Sequence, residues 1–307
     1  MDIIKKLSDE FPAIRAEHMQ NIVSLIDEGN TIPFIARYRK EMTGSCDDQV
    51  LRELDERLQY LRNLEKRKEE VCKSISEQGK MTEELQRAID AAATLTEVED
   101  LYRPYKQKKK TRASVAIERG LQPLADYILS QDPNGDVLTE AEKYVDADKG
   151  VPDIAAAIAG AKDIIAEIVS DDANVRKKLR NLFLKNGEIE TKLVNAEQDG
   201  AKTYEMYADH AENVAEIKGH RVLAINRGEK EGFLKVKITF NDEIAKRVAG
   251  AAYLKNGGYA TQLVKEAVDD GYTRLLYPSI EREVRAFLTE NASEQAIKTF
   301  ELNLKPL

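Results

Sequence analysis

Between Asp48 and Gln78, seven apolar residues (Leu51, Leu54, Leu58, Leu61, Leu64, Val71 and Ile75) recur at intervals of three, four and seven. Each residue of an α-helix advances about 100° around the axis, so this spacing gathers all seven on one stripe. A long helix cannot bury such a stripe by itself. Neighbouring helices must cover it, which makes the chain mainly α-helical. Lys68 interrupts the stripe and argues against a dedicated coiled coil. Gly79 closes the helix, and Thr82 is placed to cap another that carries Leu85, Ala88, Ile89 and Ala92.

Similar punctuation organises the rest. Pro12 reads as the first turn of a helix with Ile14, Ile22, Leu25 and Ile26 on one face and Gly29 at its end. A second helix is expected from Pro33 to Glu41, turning Phe34, Ile35, Tyr38 and Met42 inward before Thr43-Gly44 stops it. Gly120 and Pro123 read as another stop and start. The turn-rich "QDPNGD" at 131–136 divides the chain into an expected helical domain, 1–130, and a helical core, 131–307. Residues 153–170 are rich in Ala and Ile, as in a closely packed interior helix. Asp171 and Asp172 open a further helix, which Asn186-Gly187 ends. In "FLKVKITF", Leu234, Val236, Ile238 and Phe240 alternate with polar residues, the period of a half-buried strand. Val222–Ile225 precede it across "NRGEKEG", so one small β-hairpin is expected near 221–240. A long C-terminal helix from Pro278 to Asn303 is expected to turn Ile280, Val284, Phe287, Leu288, Ile297 and Phe300 inward.

Composition narrows the function classes. A chain of 307 residues with 42% hydrophobic and 33% charged residues fits two or three packed units with much exposed helix. No apolar run approaches the roughly 20 residues that cross a bilayer, and "MDIIKKLSDEF" is not a secretory signal. Cys46 and Cys72 form no CxxC pair and read as reduced thiols of a cytoplasmic protein. His18, His210 and His220 stand far apart, without metal-ligand spacing. No phosphate-cradling glycine loop and no GxSxG occur. Asp47-Asp48 and Asp171-Asp172 read as helix starts. No catalytic residue, cofactor, metal or small-molecule substrate is therefore expected.

Charge supplies the remaining lead. The formal net charge is −8, yet residues 101–120 hold seven basic side chains against the single acid Glu118. Arg103, Lys106, Lys108, Lys109, Lys110 and Arg112 form the densest part. Arg37, Arg39 and Lys40 make a second patch, and Arg176, Lys177, Lys178, Arg180 and Lys185 a third. Clustered cations bind nucleic-acid phosphates because each contact releases condensed counterions. Each patch also has an ordinary reading: a solvated loop for the first, an Arg37–Glu41 ion pair four residues apart for the second, and the wet face of an amphipathic helix for the third.

Four longer stretches carry a resemblance. "TIPFIARYRKEMTG" with "LRELDERLQYLRNLEKRKEEV", then "VEDLYRPYKQKKKTRASVAIERGLQPLA", "GHRVLAINRGEKEGFLKV" and "LLYPSIEREVRAFLTENASEQAIKTFELNL" are similar, in that order, to the Tex family of bacterial transcription accessory proteins. The resemblance runs from about residue 3 to the end. It implies a helix-turn-helix-like N-terminal bundle with a long helix, and likeness to the core of a eukaryotic transcription elongation factor. Its second short helix, Pro33–Glu41, would be the one to meet DNA, exposing Arg37, Arg39 and Lys40. Members of that family continue into a YqgF-type nuclease-like domain, helix-hairpin-helix elements and an OB-fold RNA-binding domain. This sequence stops at "NLKPL", where the nuclease-like domain would begin.

Two functions follow as expectations. One is a non-catalytic, sequence-tolerant module that contacts RNA or DNA phosphates in transcription. The other is a scaffold for the family's further domains or for transcription or ribosomal machinery.

Overall fold

The computed structural model describes residues 2–107, 109–255 and 258–304, with side chains described through residue 300. Lys108, in the densest basic run, lies outside the described residues. The chain divides into two compact units, Met1–Tyr105 and Lys106–Leu307.

The first unit is entirely helical: α1 (Ile3–Glu10), α2 (Ala16–Asp27), α3 (Ile32–Tyr38), α4 (Lys40–Thr43), α5 (Asp48–Glu77), α6 (Glu83–Ala91) and α7 (Leu95–Tyr102), followed by a 3-10 turn at Arg103–Tyr105. The expected long helix is α5, and its seven stripe residues are all buried. Its N-terminal half packs with Leu7, Met19, Ile22 and Ile35 from α1 to α3. Its C-terminal half packs with Ile89 and Val98 from α6 and α7. Lys68 is buried with the stripe: Nζ donates to the Asp90 carbonyl at 2.9 Å and pairs with Glu65 at 3.0 Å. The Asp47 carboxylate accepts the Val50 amide at 2.9 Å and caps α5, while Thr82 Oγ1 accepts the Leu85 amide at 3.2 Å and caps α6.

Three expectations change here. Residues 3–10 form a helix of their own, and Pro12 stands in the turn after it. The second short helix is broken, because Arg39 leaves helical geometry at φ −126° and ψ 28°. Arg37 and Glu41 consequently belong to different helices, and no ion pair joins them among the described residues. Of the four side chains expected inward, only Ile35 is buried; Phe34, Tyr38 and Met42 are exposed.

The second unit comprises α8 (Arg112–Glu118), α9 (Gln122–Ser130), α10 (Val137–Glu142), α11 (Ile154–Asp171), α12 (Ala173–Asn186), β1 (Glu188–Leu193), β2 (Asp209–Asn213), α13 (Gly219–Lys230), β3 (Leu234–Thr239), α14 (Asp242–Gly250), α15 (Tyr259–Gly271) and α16 (Tyr277–Leu304). A 3-10 segment at Ala201–Tyr207 precedes β2, and a π-helical turn at Tyr272–Leu276 joins α15 to α16. The Ala- and Ile-rich α11 is the central helix, with Ala157, Ala161, Ile165 and Ala166 fully buried. Ala113, Leu121, Leu124 and Ile128 share its core. The Gln131 side chain donates to the Tyr253 carbonyl at 2.6 Å and accepts the Lys255 amide at 3.0 Å. The "QDPNGD" stretch is thus a turn inside this unit, and the division between units falls ahead of it, after Tyr105.

The expected hairpin is replaced by a three-stranded antiparallel sheet in the order β2-β1-β3. Strand β3 is where the alternation placed it, with Leu234, Val236 and Ile238 buried, but it pairs with β1, Ile189 facing Ile238. Residues 221–225 lie in the helix α13. Val222, Ile225 and Gly228, spaced by three, form its buried side. A Cβ at Gly228 would stand 2.7 Å from Leu234 Cδ1 and 2.8 Å from Tyr204 Cδ1, so only glycine lets α13 lie this close to β3. On α16 the buried side steps by four through Ile280, Val284, Leu288 and Ala292. That spacing leaves Phe287, Ile297 and Phe300 exposed, contrary to the inward expectation.

Candidate nucleic-acid interface

In the first unit, the short α3 and α4 present Arg37, Arg39 and Lys40, all exposed. Two contacts from α2 hold this turn: His18 Nδ1 lies 3.0 Å from the Met42 carbonyl, and Asn21 Nδ2 donates to the same oxygen at 3.1 Å. Gly44 ends α4 at φ +65°, and a Cβ there would stand 2.7 Å from the His18 ring. Glycine is thus required both by conformation and by space. Buried Ile35 and Thr43 anchor the segment from below. Above them the Phe34 and Tyr38 rings meet with centroids 5.2 Å apart, and the Arg39 guanidinium lies 5.5 Å from the Phe34 centroid. Arg103, also in this unit, is half-buried in the 3-10 turn and engages a partner.

In the second unit, Lys106, Lys109, Lys110 and Arg112 are exposed. They lead into α8 through a reciprocal cap: Thr111 Oγ1 accepts the Ser114 amide at 3.0 Å, and Ser114 Oγ accepts the Thr111 amide at 2.8 Å. Lys110 approaches Glu118 at 3.7 Å with the two side chains 72% and 65% exposed, a pair that water screens heavily. Lys106 engages a partner. Lys109 and Arg112 make no ion pair among the described residues. These cations precede the positive end of a helix, where the peptide dipoles oppose them. The fold does not need charge of this sign there.

The third patch is divided by burial. Arg176 is only 1% exposed; it donates to Ser279 Oγ at 3.0 Å and to the Ser170 carbonyl at 3.3 Å, and it pairs with Glu283. Arg180 donates through Nε to the other Glu283 oxygen at 2.8 Å. Glu283 of α16 thereby draws both arginines into the unit, so Arg180 is committed to an internal ion pair. Lys177 and Lys178 remain exposed, and Lys177 has a partner.

Sequence reasoning passed over two features. One is the aromatic pair Phe34 and Tyr38, misjudged because apolar residues four apart on a helix ordinarily face a core. The other is a cleft of about 580 Å³ between α14 and α15, lined by Lys246, Arg247 and Lys265 with Glu243 and Asp269. The adjacent Lys246-Arg247 was its one visible signal. Among the described residues, no three His, Cys, Asp or Glu side chains gather as a metal site, and no helix is long and apolar enough to cross a membrane.

The Tex-like protein N-terminal domain model matches residues 1–76, and the Tex central region-like model matches residues 132–300. The chain belongs to the Tex family. Protein YdcI of Bacillus subtilis (strain 168) is 45% identical over 293 residues, covering 95% of this chain and 41% of that protein. The transcriptional accessory protein Tex of Neisseria gonorrhoeae is 38% identical, with 100% of this chain and 41% of that protein covered. Human S1 RNA-binding domain-containing protein 1 is 32% identical, with 94% of this chain and 30% of that protein covered. The chain thus spans about two fifths of the length of its bacterial Tex relatives.

Proposed function

We propose that this chain is a non-catalytic, nucleic-acid-associated module of a transcription accessory protein, contacting backbone phosphates without reading sequence. The observation that carries this reading is the set of exposed cations Lys106, Lys109, Lys110 and Arg112, of which Lys109 and Arg112 have no ion pair among the described residues and Lys110 only a screened one. Arg37, Arg39 and Lys40 of the first unit offer phosphate contacts of the same kind, as do Lys177 and Lys178 of the second. The names of the relatives support it: one is called a transcriptional accessory protein, another an S1 RNA-binding domain-containing protein.

The test is salt-dependent binding to single-stranded RNA and DNA. Four phosphate contacts give log K against log salt a slope of about −3, so affinity should drop roughly fiftyfold between 50 and 200 mM salt. Reversal of Lys106, Lys109, Lys110 and Arg112 to Glu should weaken binding strongly and flatten its salt dependence while helical content stays intact. Unchanged binding by that variant would remove these cations from the interface.

A scaffold role is the second reading, favoured by the exposed Phe287, Ile297 and Phe300 along α16. Absence of nucleic-acid binding at low salt, together with capture of transcription or ribosomal proteins, would put it first.

A further inference from the structure

Aromatic side chains make up 6% of this chain, with twelve Tyr, seven Phe and no Trp. Phe34 and Tyr38 are 36% and 61% exposed and stand side by side on α3. Single exposed apolar residues are ordinary, whereas a contiguous aromatic face marks an interaction surface. Its surroundings narrow the partner. Arg39 lies against the Phe34 ring and widens the flat face, Arg37 and Lys40 are exposed beside it, and Glu41 is the only acid within 33–42. Covering this face with an apolar protein surface would strip water from three cations with little in return. A duplex offers phosphates but hides its base faces. A single strand offers both at once: unpaired bases with flat faces, and a phosphate at every step. The turn is also held ready, because His18 and Asn21 grip the Met42 carbonyl while Ile35 and Thr43 are buried beneath, so little ordering remains to be done on binding.

We propose that Phe34 and Tyr38 form a stacking platform for unpaired bases of a single-stranded nucleic acid, with Arg37, Arg39 and Lys40 receiving its phosphates. This rests on the phosphate-contact reading above and adds to it the strandedness of the ligand and the residues that sense it.

The test compares a 12-nucleotide single-stranded oligo-uridine with a duplex of equal length, on the whole chain at low salt. In the F34A/Y38A variant, single-strand affinity should fall about tenfold to a hundredfold. Duplex binding, salt slope and helical content should stay as in the unaltered chain, because no phosphate contact is removed. Tyr38→Phe keeps the ring and should bind as the unaltered chain does. Oligomers carrying 4-thiouridine should crosslink to the peptide that contains residues 33–42. If F34A/Y38A binds the single strand normally, or weakens both ligands alike, the platform is overturned while the phosphate-contact reading stands. If the unaltered chain binds neither ligand, both fall together.

Discussion

Glu10 on α1 accepts two hydrogen bonds from Arg57 on α5, at 2.6 and 2.7 Å, and this paired geometry ties the first helix to the long one. Those bonds, ahead of the opposing cost of burial, hold the Glu10 carboxyl below the usual carboxylate range. The unfolded chain therefore takes up that proton at a higher pH than the folded one. The stabilisation is complete above the unfolded value and is lost as pH falls through the folded one. Glu10→Gln should cost about 1 kcal/mol at pH 7 in urea unfolding, and the difference should close in acid, as pH falls below the usual carboxylate range. A difference that persists in acid would mean the ionised pair is not its source. The neighbouring α3 shows how a single side chain escapes sequence reasoning. Phe34 and Tyr38 have a spacing that fits a core-facing stripe, but Ile35 alone fills the available space beneath. Nothing in periodicity tells which side of so short a helix is covered.

Long α5 was legible because its stripe has enough members to define one face, and even its irregularity proved informative. Lys68 occupies a core position because its ammonium reaches the Asp90 carbonyl in the last turn of α6, where helix carbonyls lack partners of their own. Lys68→Met keeps the packing and removes the donor, leaving that carbonyl and Glu65 without it. The expected cost is about 1–3 kcal/mol, read as a lower midpoint of chemical unfolding. An unchanged midpoint would show that water replaces the ammonium without loss. The small sheet was only partly legible. Strand β3 carries three apolar residues in strict alternation, whereas β1 reads "EIETKL" and β2 reads "DHAEN", with too few apolar residues to show a period of two. A short apolar run such as Val222–Ile225 fits strand and helix equally, and here contact with β3 decides for helix. The candidate cations were easier to find than to rank. Charge is visible in sequence, but Glu283, about a hundred residues further on, decides that Arg176 and Arg180 turn inward.

Each unit has a core of its own: two clusters along α5 in the first, one cluster around α11 in the second. Residues 1–105 and 106–307, produced separately, should each show cooperative thermal unfolding and dispersed amide resonances. A fragment that stays unfolded would mean that its core draws on the other part of the chain. In the second unit, α15, the π-helical turn Tyr272–Leu276 and α16 run on without a break, from Tyr259 to Leu304. Because that wider turn accommodates one residue more than an ordinary one, it shifts the helical phase between α15 and α16. Losing a single residue from it would swing every downstream side chain by roughly 100°. Ile280, Val284 and Leu288 would rotate off the interior, and Glu283 would part from its two arginines. The azimuth at which α16 presents its side chains is thus set by five residues.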